Sequence, residues 1–188
     1  MSAGKILVVE DEVKLVQLLR RVLTATHFDI VTTGRGENAI EMAALEQPDL
    51  VLLDLVLAST MDGYTVARRI REFSDVPIIF ISVLEKQRIF KSIEAALQVY
   101  ENRRRRVPTS QLNEVMQKAI NAYHPPVVRG NAIKIKYVTQ LPTNTPTFAF
   151  FCNYPDDLKT PYKNYLENQL RENFDFSGVP VRLFFRKK

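Results

Sequence analysis

The sequence predicts an α/β protein: a parallel, doubly wound sheet followed by a smaller unit of mixed helices and strands. Three observations carry this. Over residues 5–81, short and fully apolar runs, of the kind buried on both faces of a parallel sheet, alternate with segments of helical periodicity. Acidic residues stand directly after the first and third of those runs. The charge then changes sign, since residues 1–87 hold 9 Lys/Arg and 13 Asp/Glu, giving −4, whereas residues 88–188 hold 17 and 8, giving +9.

The elements follow in order. Lys5–Val9 (KILVV) is a central strand, and from Val13 to Leu23 the apolar positions Val13, Leu15, Val16, Leu18, Leu19, Val22 and Leu23 recur at helical spacing. Asp29–Thr33 is a second strand. Gly36–Gln47 is a second helix, with Ala39, Ile40, Ala43 and Ala44 on one stripe and Pro48 behind it. Leu50–Leu53 runs into Asp54, and after the Asp62–Gly63 loop a third helix covers Tyr64 to Phe73, with Val76–Ile81 as a fourth strand. The order βαβαβαβ implies right-handed crossovers in one parallel sheet. Beyond Ser82 a helix from about Arg88 to Asn102 shows Ile89, Ile93, Leu97 and Tyr100 on one face. Pro108, Thr109 and Ser110 supply a stop and an N-cap for the next helix, and Pro125–Pro126 closes it. Ile133–Gln140 alternates, with Ile133, Ile135 and Tyr137 on one side and Lys134 and Lys136 on the wet one; Phe148–Asn153 is its antiparallel neighbour. A helix from Pro161 and a strand at Val181–Phe185 complete a second unit of order α, α, β, β, α, β.

Composition narrows the function classes. Cys152 has no partner for a disulfide, and His27 and His124 lie far from it in sequence, so a zinc site is not expected. No apolar run approaches the ~18 residues of a membrane span, nor does the N-terminus carry a secretory pattern, which makes the cytoplasm the expected location.

Ligands of doubly wound sheets sit at the carboxyl ends of the strands. Glu10 and Asp11 follow the first strand and Asp54 the third, so adjacent central strands bring three carboxylates to one rim. A single acid after a strand would only cap a helix and face water, but crowded carboxylates repel unless a hard divalent cation sits among them. Mg²⁺ suits such oxygen ligands. A carboxylate beside it can attack a phosphoryl group.

Through VVEDE (8–12), DLVLLDLVL (49–57), DGY (62–64), RRIR (68–71) and VPIIFIS (76–82), the chain resembles the receiver family of two-component signalling, the CheY-like, flavodoxin-like fold. The resemblance implies Asp54 as phosphoacceptor, Glu10 and Asp11 as the acid pair, Val56 as a backbone-carbonyl metal ligand, Ser82 as the phosphoryl-binding hydroxyl, and a histidine kinase as phosphodonor. It also implies a truncated sheet of order 2-1-3-4. Ala58 replaces the family's proline, and the Ala58–Met61 loop is one residue longer than usual. The fifth strand, phosphate-binding lysine and closing helix are absent after Ser82, with Lys86 the nearest cation. Metal binding is therefore expected to survive better than phosphorylation.

From Pro77 onward the chain resembles the C-terminal end of the EngA/Der family of GTPases of ribosome assembly, through PIIFIS (77–82), KQRI (86–89), VYENRRRRVPTSQLNEV (99–115), TPTFAFFCN (145–153), YKNYLENQLRE (162–172) and VPVRLFFRKK (179–188). This implies an α+β KH-like domain at 108–188, a GTPase-derived helix and linker at 83–107, and a partial receiver at 1–82. The helix is expected where the receiver's fourth helix lies. Arg103, Arg104, Arg105, Arg106, Lys134 and Lys136 are candidate contacts for ribosomal RNA; the same cations read equally as a solvated or docking face. No G-x-x-G loop is present, Arg129-Gly130-Asn131 being the closest stretch. Since neither G-x-x-x-x-G-K-[ST] nor Asn-Lys-x-Asp occurs, GTPase activity is excluded and the chain is expected not to be an enzyme. Three functions compete: a receiver signalling module, an RNA-binding module with the receiver part as scaffold, and an engineered chimera without evolved activity. A fourth strand left at the sheet edge invites a homodimer through residues 76–81.

Overall fold

The computed structural model describes residues 3–81, 89–128, 130 and 132–187. The first unit, Met1–Tyr100, contains β1 (Gly4–Val9), α1 (Val13–Ala25), β2 (Phe28–Thr33), α2 (Gly36–Glu46), β3 (Leu50–Asp54), α3 (Gly63–Arg71), β4 (Ile78–Ile81) and most of α4 (Ile89–Arg104). All four strands are parallel, in the order β2-β1-β3-β4, so the truncated doubly wound sheet stands as expected. The two central strands are apolar because both of their faces are covered: Ile6 to Val9 and Leu50 to Leu53 are wholly buried. On one face, Ile6, Val8, Leu50 and Leu52 meet Leu15, Leu19 and Leu23 of α1. On the other, Leu7, Val9, Val51 and Leu53 meet Ala39 and Ala43 of α2 and Val66 and Ile70 of α3. Each such burial contributes about 1.5–3 kcal/mol.

The position of α4 departs from expectation. A right-handed crossover continuing outward from β4 would lay the helix on the α2/α3 face. Instead Ile93, Ala96 and Tyr100 join the α1 cluster, with the Tyr100 ring edge-on to Phe28 at 4.8 Å. The cause is the shortage of cover. Two helices already seal one face, α1 alone leaves much of the other open, and the apolar stripe of α4 fills that gap.

The second unit, Glu101–Lys188, contains α5 (Thr109–Ala122), β5 (Ile135–Gln140), β6 (Thr147–Cys152), α6 (Thr160–Asn173) and β7 (Arg182–Lys187). β5 and β6 are antiparallel, as the sequence predicts, and β7 joins β6 in parallel after the α6 crossover. Phe148, Phe150 and Cys152 pack under Leu112 and Met116 of α5 and Leu166 and Leu170 of α6. Two local expectations change. Pro108 occupies the N-cap position of α5 with no side-chain cap bond, and Thr109 and Ser110 fall in the first turn. A register irregularity between Ile135 and Tyr137 breaks the alternation in β5, so Val138 enters the core while Tyr137 stacks on Phe151. Among the described residues, no helix is long and apolar enough to cross a membrane.

Candidate functional site

β1 and β3 are adjacent and parallel, with Val9 opposite Leu53, so the residues that follow them leave the sheet side by side. Glu10, Asp11 and Asp54 each bring a carboxylate oxygen to within 4.8 Å of the others. Glu10 and Asp54 are 2% exposed, whereas Asp11 faces solvent. Glu10 Oε1 accepts from the Glu12 N–H at 2.9 Å, and Glu10 Oε2 is buried without a hydrogen-bond partner. Asp54 Oδ1 accepts from the Val56 N–H and Asp11 Oδ2 from the Ala58 N–H, both at 3.3 Å.

The electrostatics follow from this crowding. Burial lifts the Glu10 carboxyl from 4.5 to about 7; the Glu12 N–H pulls the other way, and the charges of Asp54 and Asp11 add to the rise. Burial also raises Asp54, against the lowering bonds from the Val56 and Leu55 N–H groups. Two buried acids with high proton affinity and one unpartnered oxygen form a donor set of hard oxygens, which fits Mg²⁺.

The neighbouring loop is held in place by the same region. Gly63, the first residue of α3, donates its N–H to Leu55 O at 3.1 Å, and a Cβ on it would fall on the Asp54 carbonyl oxygen and 2.9 Å from Leu55 Cα. Asp62 caps α3 by accepting from the Thr65 N–H at 2.7 Å. Ser59 accepts from the Gly36 N–H, and the Thr60 hydroxyl donates to Glu37. The side chain of Val56 is 77% exposed. Ser82 and Lys86 lie outside the described residues, as do Arg129 and Asn131.

Sequence reasoning missed the far wall of the site. A cleft of about 330 Å³ beside Glu10 and Asp11 is lined by Thr32 and Thr33 at the end of β2, by Gly34 and Arg35 just after it, and by Val13, Val16 and Gln17 of α1. The usable signal was position, because these residues also follow a strand's carboxyl end.

The basic candidates of the second unit differ in their surroundings. Arg106 forks onto Leu141 O at 2.7 Å and Thr143 O at 3.0 Å, and Arg105 donates to Asn102 Oδ1 at 3.2 Å, so these guanidinium groups brace the chain. Arg103 is half-buried and Arg104 exposed at the end of α4, while Lys134 and Lys136 are exposed at the start of β5.

A four-stranded parallel sheet with an acid triad at its carboxyl rim defines a receiver-type α/β module, and the comparisons agree. By its match to the family model "Response regulator receiver domain" over residues 6–100, the chain belongs to the response-regulator receiver family. Residues 106–186 match the model described as "KH-domain-like of EngA bacterial GTPase enzymes, C-terminal". Proteins named GTPase Der are similar: that of Flavobacterium johnsoniae is 41% identical over 96% of this chain and 45% of its own length. That of Porphyromonas gingivalis is 52% identical over 65% of this chain and 28% of its own. The chain thus spans less than half the length of the curated relatives it matches. Among solved structures, the BeF3-activated N-terminal receiver domain of Klebsiella pneumoniae RstA is 36% identical, covering 48% of this chain and 77% of that one at a TM-score of 0.41. The receiver domain of the Pseudomonas aeruginosa sensor histidine kinase PA1611, with a magnesium ion coordinated in its active site cleft, is 26% identical, covering 50% of this chain and 80% of that one at a TM-score of 0.42.

These relatives correct one expectation. The sequence reading took the chain not to be an enzyme, yet proteins 40–47% identical over most of it are named GTPase Der, which points to a GTPase family. The exclusion rested on two short motifs sought within 188 residues, and such a search over 45% of a relative's length does not decide a family's activity.

Proposed function

We propose that the first unit is a receiver module in which Asp54 accepts a phosphoryl group, Glu10, Asp11, Asp54 and the Val56 carbonyl hold Mg²⁺, and Ser82 receives the phosphoryl oxygens. The observation that carries this reading is the convergence of three acids from two separate strand ends, one of them with a buried, unpartnered oxygen. Bound among these oxygens, Mg²⁺ would supply charge neutralisation for the transferred group. The chain's own contribution is positional. The Val56 N–H orients the Asp54 carboxylate, which attacks phosphorus in line as the donor's leaving group departs. Glu10 and Asp11 place two further carboxylates beside it. A histidine kinase is the proposed phosphodonor and the cytoplasm the proposed location. Incubation with acetyl phosphate and Mg²⁺ should add one phosphoryl group by intact-mass measurement. Persistence of the adduct in Asp54→Asn would remove Asp54 as the acceptor.

A second reading concerns the unit from Glu101 to Lys188, which holds 15 Lys/Arg against 7 Asp/Glu. Of those acids, Glu114 pairs with Lys118 and Glu167 with Arg171, which leaves a cationic surplus on the surface. We propose that this KH-like unit binds ribosomal RNA in the setting of a GTPase of the Der kind, within a chain composed of two families. Retention on an immobilised rRNA fragment that falls with added salt is the expected outcome; retention insensitive to salt would count against it.

A further inference from the structure

The sheet of the second unit has two faces, and its helices account for only one. Phe148, Phe150 and Cys152 point into the core under α5 and α6, and by the two-residue period of a strand Thr147, Ala149 and Phe151 point the other way. The register places side chains from the neighbouring strands beside them on this outer face. Tyr137 and Arg186 flank Phe151, and Thr139 and Phe184 flank Ala149. Tyr137 and Phe151 are stacked, with ring centroids 4.5 Å apart and planes 16° from parallel. Phe184 is 46% exposed and Arg186 is exposed next to it in the strand period, while Tyr137, Thr139 and Phe151 are half-buried and Thr147 and Ala149 are buried.

We propose that this outer face binds single-stranded RNA, with Phe184 and the Tyr137–Phe151 pair as stacking platforms for bases and Arg186 as a phosphate contact. The inference rests on the RNA reading of this unit and names a different surface from the basic run at the end of α4. Aromatic faces accept any base, and cations beside them hold the backbone. Strand and residue spacings separate Phe184 from Phe151 by roughly 8 Å along the diagonal, which leaves room for two bases rather than one. The register places Arg182 opposite Thr147 and Arg186 opposite Phe151 on this face, and β5, β6 and β7 carry no acidic residue. Thr139, opposite Ala149 in the register, offers a hydroxyl that a 2′-hydroxyl could pair with. The apolar part is small. A stable protein–protein contact needs about 800 Å² per partner with an apolar centre, whereas a polyanion needs only rings and cations.

The test uses the full chain and fluorescence anisotropy with a labelled oligouridylate of about 12 nucleotides. Phe184→Ala should weaken binding about tenfold without changing its salt slope, and Arg186→Gln should lower the slope of log K against log salt by about 0.7. Phe184→Leu keeps a large apolar side chain and an unchanged melting temperature, and should lose affinity as Phe184→Ala does. If the wild type binds but only Arg104→Gln weakens it, this face is overturned while the RNA reading stands. If the wild type binds no oligouridylate at low salt, both fall. Equal binding of an oligothymidylate, or displacement by polyglutamate at matched charge, would overturn the assignment in favour of DNA or of an acidic protein.

Discussion

Replacing Glu10 by glutamine tests whether the buried charge of the acid pocket costs stability until a cation offsets it. The glutamine keeps an oxygen to accept from the Glu12 N–H, now made at 2.9 Å, and brings an NH₂ group that can donate toward Asp54. In the wild type the folded protein holds the Glu10 proton up to about pH 7, whereas the unfolded chain releases it near the ordinary 4.5. The unfolded state therefore binds fewer protons within this window. Stability is full below pH 4.5, falls as pH rises toward 7, and is flat above that. At about 1.4 kcal/mol per pH unit, the ceiling on this loss is about 3 kcal/mol. Urea denaturation with EDTA should show the two proteins alike at pH 4, and Glu10→Gln more stable at pH 8 by up to that amount. With Mg²⁺ the order narrows, because the variant has lost a charged ligand. Equal stabilities at pH 8 in EDTA would remove the buried Glu10 charge, desolvated first and repelled by Asp54 and Asp11 second, as the cause.

Gly63→Ala should destabilise the first unit by several kcal/mol or displace Asp54, since the new methyl meets backbone on both sides; a urea midpoint within error of wild type would contradict the packing described. Asn102 is wholly buried, donating to Asp175 Oδ1 and Ser177 O at 3.1 Å each, so Asn102→Ala should cost about 2–3 kcal/mol in the second unit by thermal denaturation. Arg106→Ala should loosen the 141–143 turn, read as faster amide exchange there; unchanged protection would show the guanidinium fork to be dispensable. Val138→Ala should lose about 2 kcal/mol or more while Tyr137→Ala loses less, the reverse of what plain alternation in β5 demands.

Much of the first unit was legible because its signals are local. Continuous burial wrote Lys5–Val9 and Leu50–Leu53 as central strands, and the acids behind them sit where a doubly wound sheet puts ligands. The face taken by α4 was not legible. Its stripe of Ile93, Ala96 and Tyr100 says only that one side is apolar, and which face of the sheet lacks cover depends on how many helices already occupy each. The irregularity in β5 was hidden for a similar reason. Alternation from Ile133 to Tyr137 is unbroken in the sequence, and the slip arises from pairing with β6, where Tyr137 gains the Phe151 ring. The bracing contact of Arg106 was not legible because sequence shows charge and not acceptors: the carbonyls at 141 and 143, 35 and more residues away, accept from its guanidinium.

With α1 and α4 sealing one side of the first sheet and α2 and α3 the other, lateral growth is the remaining way for it to gain contacts. Its two rims differ in chemistry: β2 ends the sheet with Asp29, Thr32 and Thr33, whereas β4 offers Ile78, Ile79 and a Phe80 that is 39% exposed, paired on one side by β3 among the described residues. Accretion should therefore start at the β4 rim, copy against copy, and sedimentation at rising concentration should show dimers that Phe80→Lys abolishes.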